Sequence, residues 1–433
     1  MKKIFIFIVF AFINISFVQG VQLNKTELKY IDINNIQVPV IFENSSLLPI
    51  GFVSIVFNGG GSINQNKNSL STFASDMLNR GTKTKGESAF ALDLESNAIS
   101  LSSQATLEVL KFDLDFLKEK EDIALNLLGE LLNDPNISKD AFEKTKLNLN
   151  SYLLSKENDF DYIASKNLNK IFFKGTPLEH VDSADSINAI TLNDVTNYIK
   201  STLVLNNVVI IAGGDMDFNS IASKLKKILS PLSNGEKYVA KKYSPIENPQ
   251  TTISKNDTKQ AYIYFAAPFR FESYENDLHK SQVMSFIMGS SGFGSRILEE
   301  VRVKRGLAYS AYFYNVINNI TSYSSGYLQT KLSNKDSAIQ VVKQTISDFI
   351  SSGATKEELE NAKAYILGSE PLKVETLNQR LNRKYLAFQR GLPLDYDEVI
   401  LQKIRNLSLE ELNDYIKSHK EVLNLSISIV QDK

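Results

Sequence analysis

Residues 138–146 and 355–363 carry one pattern written twice. Ser138, Lys139, Asp140, Phe142, Glu143 and Lys146 stand opposite Thr355, Lys356, Glu357, Leu359, Glu360 and Lys363. Each series opens on a hydroxyl residue of the kind that caps an amphipathic helix. Further along, Ile187, Ile190, Leu192, Val195, Tyr198, Ile199 and Lys200 stand opposite Ile404, Leu407, Leu409, Leu412, Tyr415, Ile416 and Lys417. Both blocks share one spacing, 138 to 355 and 198 to 415, which is 217 positions. Between them Gly175, Pro177 and Leu178 match Gly391, Pro393 and Leu394 at a spacing of 216, from 175 to 391. Three blocks in one register leave little room for chance, and 433 residues suit two domains of roughly 200 residues better than one core.

Each half mixes strand and helix signals. Strands are expected over 53–57 and 261–265 near the start of each half, and over 206–212 and 422–430 at the close. Leu110, Phe112, Leu114 and Phe116 alternate with Lys111, Asp113 and Asp115, which predicts a strand with one wet face. The fold class implied is α+β: two homologous domains of one αβ-sandwich, each a mostly antiparallel sheet flanked by helices. The boundaries expected are 21–232 and 255–433, joined by a linker over 233–254 rich in Lys, Ser, Asn and Pro.

The first residues stand apart. Lys2 and Lys3 precede an apolar run over 4–13, with Ser16, Gln19 and Gly20 behind it, which predicts a secretory signal over 1–20 and a periplasmic protein. The other reading is an uncleaved anchor, but the run falls short of the roughly 20 residues that span a bilayer, and no later segment is long enough. With 48 basic against 49 acidic residues the chain has no long-range attraction for a polyanion, so nucleic acid is not an expected partner. The lack of cysteine excludes disulfides, thiolate metal sites and a Cys nucleophile.

Two segments carry chemistry. From Ser69 to Thr82, Leu70, Phe73, Ala74, Met77 and Leu78 fall at helical spacing and predict a buried stripe, leaving Thr72, Ser75 and Asp76 on another face. From Gly289 the second half reads Gly-Ser-Ser-Gly-Phe-Gly-Ser-Arg-Ile-Leu-Glu-Glu-Val-Arg-Val-Lys-Arg-Gly-Leu-Ala-Tyr. Here Ser295 should cap a helix that buries Ile297, Leu298 and Val301; Gly306 should stop it, and 307–313 should return as a strand. That brings Arg302 and Tyr309 together, as a guanidinium and a phenol able to donate to a peptide carbonyl or its oxyanion. The bland reading pairs Arg302 with Glu299 on a wet face and packs Tyr309 in the sheet.

Both segments resemble the pitrilysin/insulinase family of inverzincin peptidases. In that family the helix after a Gly-Ser loop, here residues 59–62, bears His-x-x-Glu-His before a run similar to Met77, Leu78, Arg80, Gly81 and Thr82. The resemblance sets Thr72, Ser75 and Asp76 on the histidine, glutamate and histidine positions, none of them a nitrogen ligand or a working base. It sets the third ligand, a glutamate, near 148–153, where Asn148, Leu149, Asn150, Ser151, Tyr152 and Leu153 offer no carboxylate. His180, His279 and His419 are read as lone surface or loop histidines without a metal role. The metal expected is therefore none, and no other cofactor is called for.

The same resemblance puts Arg302 and Tyr309 on the family's substrate-contacting Arg and Tyr, and allows Gly289, Gly292 and Gly294 either a plain loop or close approach by a substrate backbone. It implies a non-catalytic subunit, similar to bacterial proteins of the mitochondrial-processing-peptidase type. Such a subunit would pair with a homologous His-x-x-Glu-His subunit as a heterodimer and bind peptide, by strand addition among other means. The alternatives are a stand-alone peptide-binding or scaffold protein, and a peptidase with an unorthodox site, for which the sequence offers no ligand set.

Overall fold

The computed structural model describes residues 25–432; the expected signal over 1–20 lies outside them. Two sheets divide the strands. The first holds β1 (Glu27–Ile33), β2 (Ile36–Asn44), β3 (Ile50–Asn58), β4 (Ser100–Ala105), β5 (Val109–Leu117) and β6 (Val208–Gly214), in the order β1-β2-β6-β3-β5-β4. The second holds β7 (Thr251–Lys255), β8 (Gln260–Pro268), β9 (Ala308–Ile317), β10 (Ser322–Lys331) and β11 (Ser426–Gln431), in the order β7-β11-β8-β10-β9.

Without β1 the two orders are the same. The signs agree as well: β2 with β6 and β7 with β11 are parallel, and every other pair is antiparallel. The sequence repeat is thus a repeat of topology, and the α+β reading with mostly antiparallel sheets holds. Each sheet turns one face to its own core. Val53, Ile55, Phe57, Phe112 and Leu114 meet Phe73 and Met77 in the first half; Ile263, Phe265, Phe313 and Leu328 meet Val342, Ile346 and Ile416 in the second.

The opposite faces are covered by exchange. The Phe160–Phe172 helix belongs to the first half by sequence, yet Leu168 and Phe172, with Phe173 beyond its end, pack on Ala266, Tyr264 and Tyr323 of the second sheet. Its counterpart 217 positions on, Leu377–Gln389, lays Leu381 and Tyr385 on Ile41, Val56, Val209 and Ile211 of the first. Gly213 of β6 permits this approach, since a Cβ there would lie 2.9 Å from Leu381 Cδ1 and 2.8 Å from the Glu43 carbonyl oxygen. The exchange is fixed by charge. Arg380 Nη2 and Nε reach Glu43 Oε1 at 2.6 and 2.9 Å, Thr26 donates to Oε2 at 2.8 Å, and Nη1 donates to the Val374 and Glu375 carbonyls. With Glu43 fully buried and Arg380 nearly so, such a pair is tolerable only because each polar atom has a partner.

Three expectations need correction. The last four residues expected in the linker, 251–254, are strand β7, a short edge strand whose alternation of exposed and half-buried residues gives no apolar run. The closing strand of the second half begins at Ser426, because Lys420–Leu423 forms a 3₁₀ turn that anchors Val422 in the core. Ser295 stands at the N-cap, but its hydroxyl donates back to the Gly292 carbonyl at 2.7 Å and accepts nothing from the helix. Among the described residues no helix is long and apolar enough to cross a membrane.

Candidate functional site

The helix Leu70–Leu78 buries Leu70, Phe73, Ala74, Met77 and Leu78, as its spacing predicts. Thr72 and Asp76 are half-buried, but Ser75 is buried and its hydroxyl donates to the Thr72 carbonyl at 3.0 Å. Asp76 is bound by Arg80 Nη2 at 3.2 Å, while Nη1 of the same guanidinium takes Glu87 at 2.8 Å. Burial works against the charge on Arg80, yet Glu87 and Asp76 outweigh it and hold the guanidinium protonated. A fixed cation thus sits on the one carboxylate of the trio.

The third expected position lies in the Lys139–Ser155 helix, packed against the first through Phe142 and Phe73, whose rings are 4.9 Å apart. There Asn150 donates to the Lys146 carbonyl and to Asn188. These residues do not fit zinc: two hydroxyls, a neutralised carboxylate and an amide replace the imidazoles and carboxylates the ion requires. Among the described residues no group of three His, Asp or Glu is placed to hold a metal.

The end of the Leu70–Leu78 helix also closes a strand edge. Asn79 accepts from the Ser103 N–H at 2.6 Å and donates to the Ser103 carbonyl at 2.9 Å, taking both main-chain groups of that residue on edge strand β4. On edge strand β9 the Asn315 N–H donates to the Ser285 hydroxyl at 2.9 Å. Strand addition, expected from sequence, would have to displace these bonds.

In the second half the predicted pair is assembled. The helix Arg296–Leu298 continues as a π turn over Glu299–Val303, Gly306 (φ +60°) ends it, and β9 follows. The guanidinium carbon of Arg302 lies 4.4 Å from the Tyr309 ring centroid and 5.0 Å from that of Phe293. Those rings are 80% and 77% exposed, so Tyr309 does not pack in the sheet. Among the described residues Arg302 has no carboxylate partner, so the pairing with Glu299 is not what forms. Cation–π contact orients the guanidinium and leaves its five N–H donors free for a ligand.

The three glycines separate. Gly292 (φ +69°) and Gly294 (φ +83°) have the left-handed backbone that favours glycine, and a Cβ on either would meet nothing closer than Tyr312 at 4.0 Å. Gly289 is different and corrects the expectation: it is buried in the π turn Phe286–Ser290, where a Cβ would stand 2.4 Å from the Phe313 nitrogen. Its role is close packing of that turn on β9. Sequence reasoning missed Arg296, which clamps the site helix by bonding Glu358 through Nε (2.5 Å) and Nη2 (2.7 Å) and the Gly353 carbonyl at 2.8 Å. It also missed Phe293, whose place beside Arg302 depends on the loop's backbone turns.

Of the histidines, His180 is an exposed loop residue. His279 is half-buried on the Tyr274–Ser285 helix, with Nδ1 buried and unpartnered, and burial followed by Lys280 and Lys403 pushes it down to about 4. His419, expected as a surface or loop histidine, does lie between a helix and a 3₁₀ turn but is buried, stacked at 4.4 Å on Phe269 and joined through Nδ1 to Glu421 at 2.8 Å. A helix-end position three residues past Ile416 did not reveal that Phe269 waits beside it.

Two family models match the chain, and the second begins inside the first half, ahead of β6. The sequence profile of "Insulinase (Peptidase family M16)" matches residues 40–181, and that of "Peptidase M16 inactive domain" matches 189–366. The chain is 40% identical over 414 residues to the "Non-peptidase homolog YmxG" of Helicobacter pylori, covering 95% of this chain and 96% of that one. It is 22% identical over 359 residues to an "Uncharacterized zinc protease" of Rickettsia felis, 81% and 84% of the two chains. Among solved structures, a peptidase M16 inactive domain from Pseudomonas fluorescens superposes with a TM-score of 0.85 at 22% identity, over 94% of this chain and 98% of that one.

Proposed function

The chain belongs to the insulinase family of peptidases, family M16, and from that membership we propose that it is the non-catalytic, substrate-binding subunit of an exported, periplasmic zinc metallopeptidase. Its partner is a homologous subunit whose own helix carries His-x-x-Glu-His. Arg302 and Tyr309 are presented to peptide held at that partner's metal, where the guanidinium and the phenol donate to the scissile carbonyl as it gains negative charge.

One observation supports this reading: the residues at the ligand positions do not fit zinc, while Arg302 and Tyr309 stand side by side. The ligand helix has a buried hydroxyl and an arginine-bound carboxylate where hydrolysis needs imidazoles and a base. The donor pair has aromatic rings on two sides of Arg302 and, among the described residues, no carboxylate paired with its guanidinium. A helix-end arginine kept only for solubility would not need two exposed rings beside it.

The test is affinity purification of the tagged chain from its native cell envelope. Co-elution of a His-x-x-Glu-His homologue, with peptide cleavage that requires both chains, is expected. A chain that elutes only with itself would instead point to a stand-alone peptide-binding protein.

A further inference from the structure

The face of the second sheet opposite its core carries a row of three tyrosines, of which only Tyr264 packs under the exchanged helix. Tyr264, Tyr327 and Tyr312 stand side by side on β8, β10 and β9, in direct register. Their rings stack, Tyr264 on Tyr327 at 5.3 Å and 16°, Tyr327 on Tyr312 at 5.1 Å and 27°. All three are half-buried, so each keeps part of its ring in water. With strands about 4.8 Å apart the row spans roughly 10 Å. One end is fixed: the Tyr264 hydroxyl donates to Asp161 at 3.1 Å, beneath the exchanged helix, and Gln329 takes the other oxygen of that carboxylate at 2.7 Å. The other end meets the Arg302 site, because Tyr312 is the ring nearest Gly292 and shares β9 with Tyr309.

The first sheet shows what the same row looks like when only structure is at stake. Tyr264 is the middle residue of nine-residue β8, and the middle residue of nine-residue β3 is Ser54. Ser54 faces Asp113 on β5, which faces Ser102 on β4. Ser54 donates to Asp113 at 2.6 Å, and the same carboxylate is bound by Lys111 at 2.6 Å, so the row is polar. Serine, aspartate and serine therefore satisfy this fold where the second sheet has three tyrosines. Aromatic rings that stay partly exposed leave apolar surface in water, which adds nothing to folding stability.

We propose that the Tyr264–Tyr327–Tyr312 face is a peptide subsite, continuous with Arg302, that takes the aromatic side chains of an extended, acidic polypeptide segment. The rings receive aromatic groups by offset or edge-on packing, and the unpaired guanidinium receives a carboxylate or main-chain carbonyl of the same segment. Binding is through side chains across the sheet face and not through strand addition, since Asn79 and Ser285 already occupy main-chain groups on both site-side edges. The assignment rests on the proposed substrate-binding role and adds to it a substrate class.

The test uses the full chain and two fluorescein-labelled, unstructured peptides of about twelve residues rich in Ser, Gly and Asp, long enough to span both features. One carries two phenylalanines and its twin carries serines there. Fluorescence anisotropy should show the phenylalanine peptide binding at least about tenfold more tightly. The double variant Tyr312→Ser with Tyr327→Ser should abolish that preference, and Tyr312→Phe with Tyr327→Phe should retain it. Arg302→Ala should weaken both peptides alike, so failure of the donor pair and failure of the tyrosine face read out separately. If the serine variant does not fold, a benzoylphenylalanine at the aromatic position of the peptide should crosslink the wild-type chain within β9 and β10. Equal binding of the twin peptides, a preference that survives the serine variant, or crosslinks elsewhere would overturn the assignment.

Discussion

At Gly289 and Gly294 the same substitution should fail for two separate reasons. Alanine at 289 would drive a methyl to 2.4 Å from the Phe313 nitrogen and 2.5 Å from its oxygen, atoms of a sheet that cannot yield. A loss of about 2–3 kcal/mol in chemical denaturation is expected there. Alanine at 294 meets nothing but must hold φ at +83°, and should cost about 1 kcal/mol. His279 gives a residue-scale signature in pH. Its folded value, about 4, lies below the 6.5 of a free imidazole, so between those values the unfolded chain binds a proton that the folded chain refuses. Stability should therefore rise with pH across that window and fall on acidification. Denaturation midpoints at pH about 5 and about 7.5 should differ less in His279→Gln than in the parent.

The two exchanged helices tie each half of the chain to the other's sheet. Arg380→Ala would leave Glu43 buried and unpaired, and a loss of about 3–5 kcal/mol is expected in urea unfolding. Replacing both together, Glu43→Leu with Arg380→Met, should recover most of it, because an apolar pair leaves no charge to desolvate. The periodicity of 160–172 and 377–389 says that one stripe of each helix is buried, but says nothing about which sheet it covers. That choice is made by residues far away in sequence, such as Gly213 and Glu43, and so was not legible. Strands β1, β2 and β7 escaped for a related reason. Their alternation is broken by polar residues at sheet edges or, in β2, by Pro39, whereas β3, β5 and β8 have the clean or continuous apolar pattern of covered strands.

For the whole molecule, the repeat was the most legible feature, since two copies of one topology must bury the same positions and so keep the same apolar spacing. The misfit of Thr72, Ser75 and Asp76 to zinc was legible too, because ligand chemistry follows from residue identities that the sequence states directly. What closes the strand edges was not, since Asn79 acts through the Ser103 main chain, and neither was the tyrosine row, which exists only once β8, β10 and β9 lie in register. Together these features are what supports the proposed reading, a chain that presents peptide to a catalytic partner. The most direct measurement is the rate of peptide cleavage by the co-purified His-x-x-Glu-His subunit, alone, with this chain, and with its Arg302→Ala form. The account predicts no cleavage by this chain by itself, full rate only for the pair, and a fall of at least about tenfold with Arg302→Ala in an intact complex. Cleavage by the lone chain, or an unchanged rate with Arg302→Ala, would contradict it.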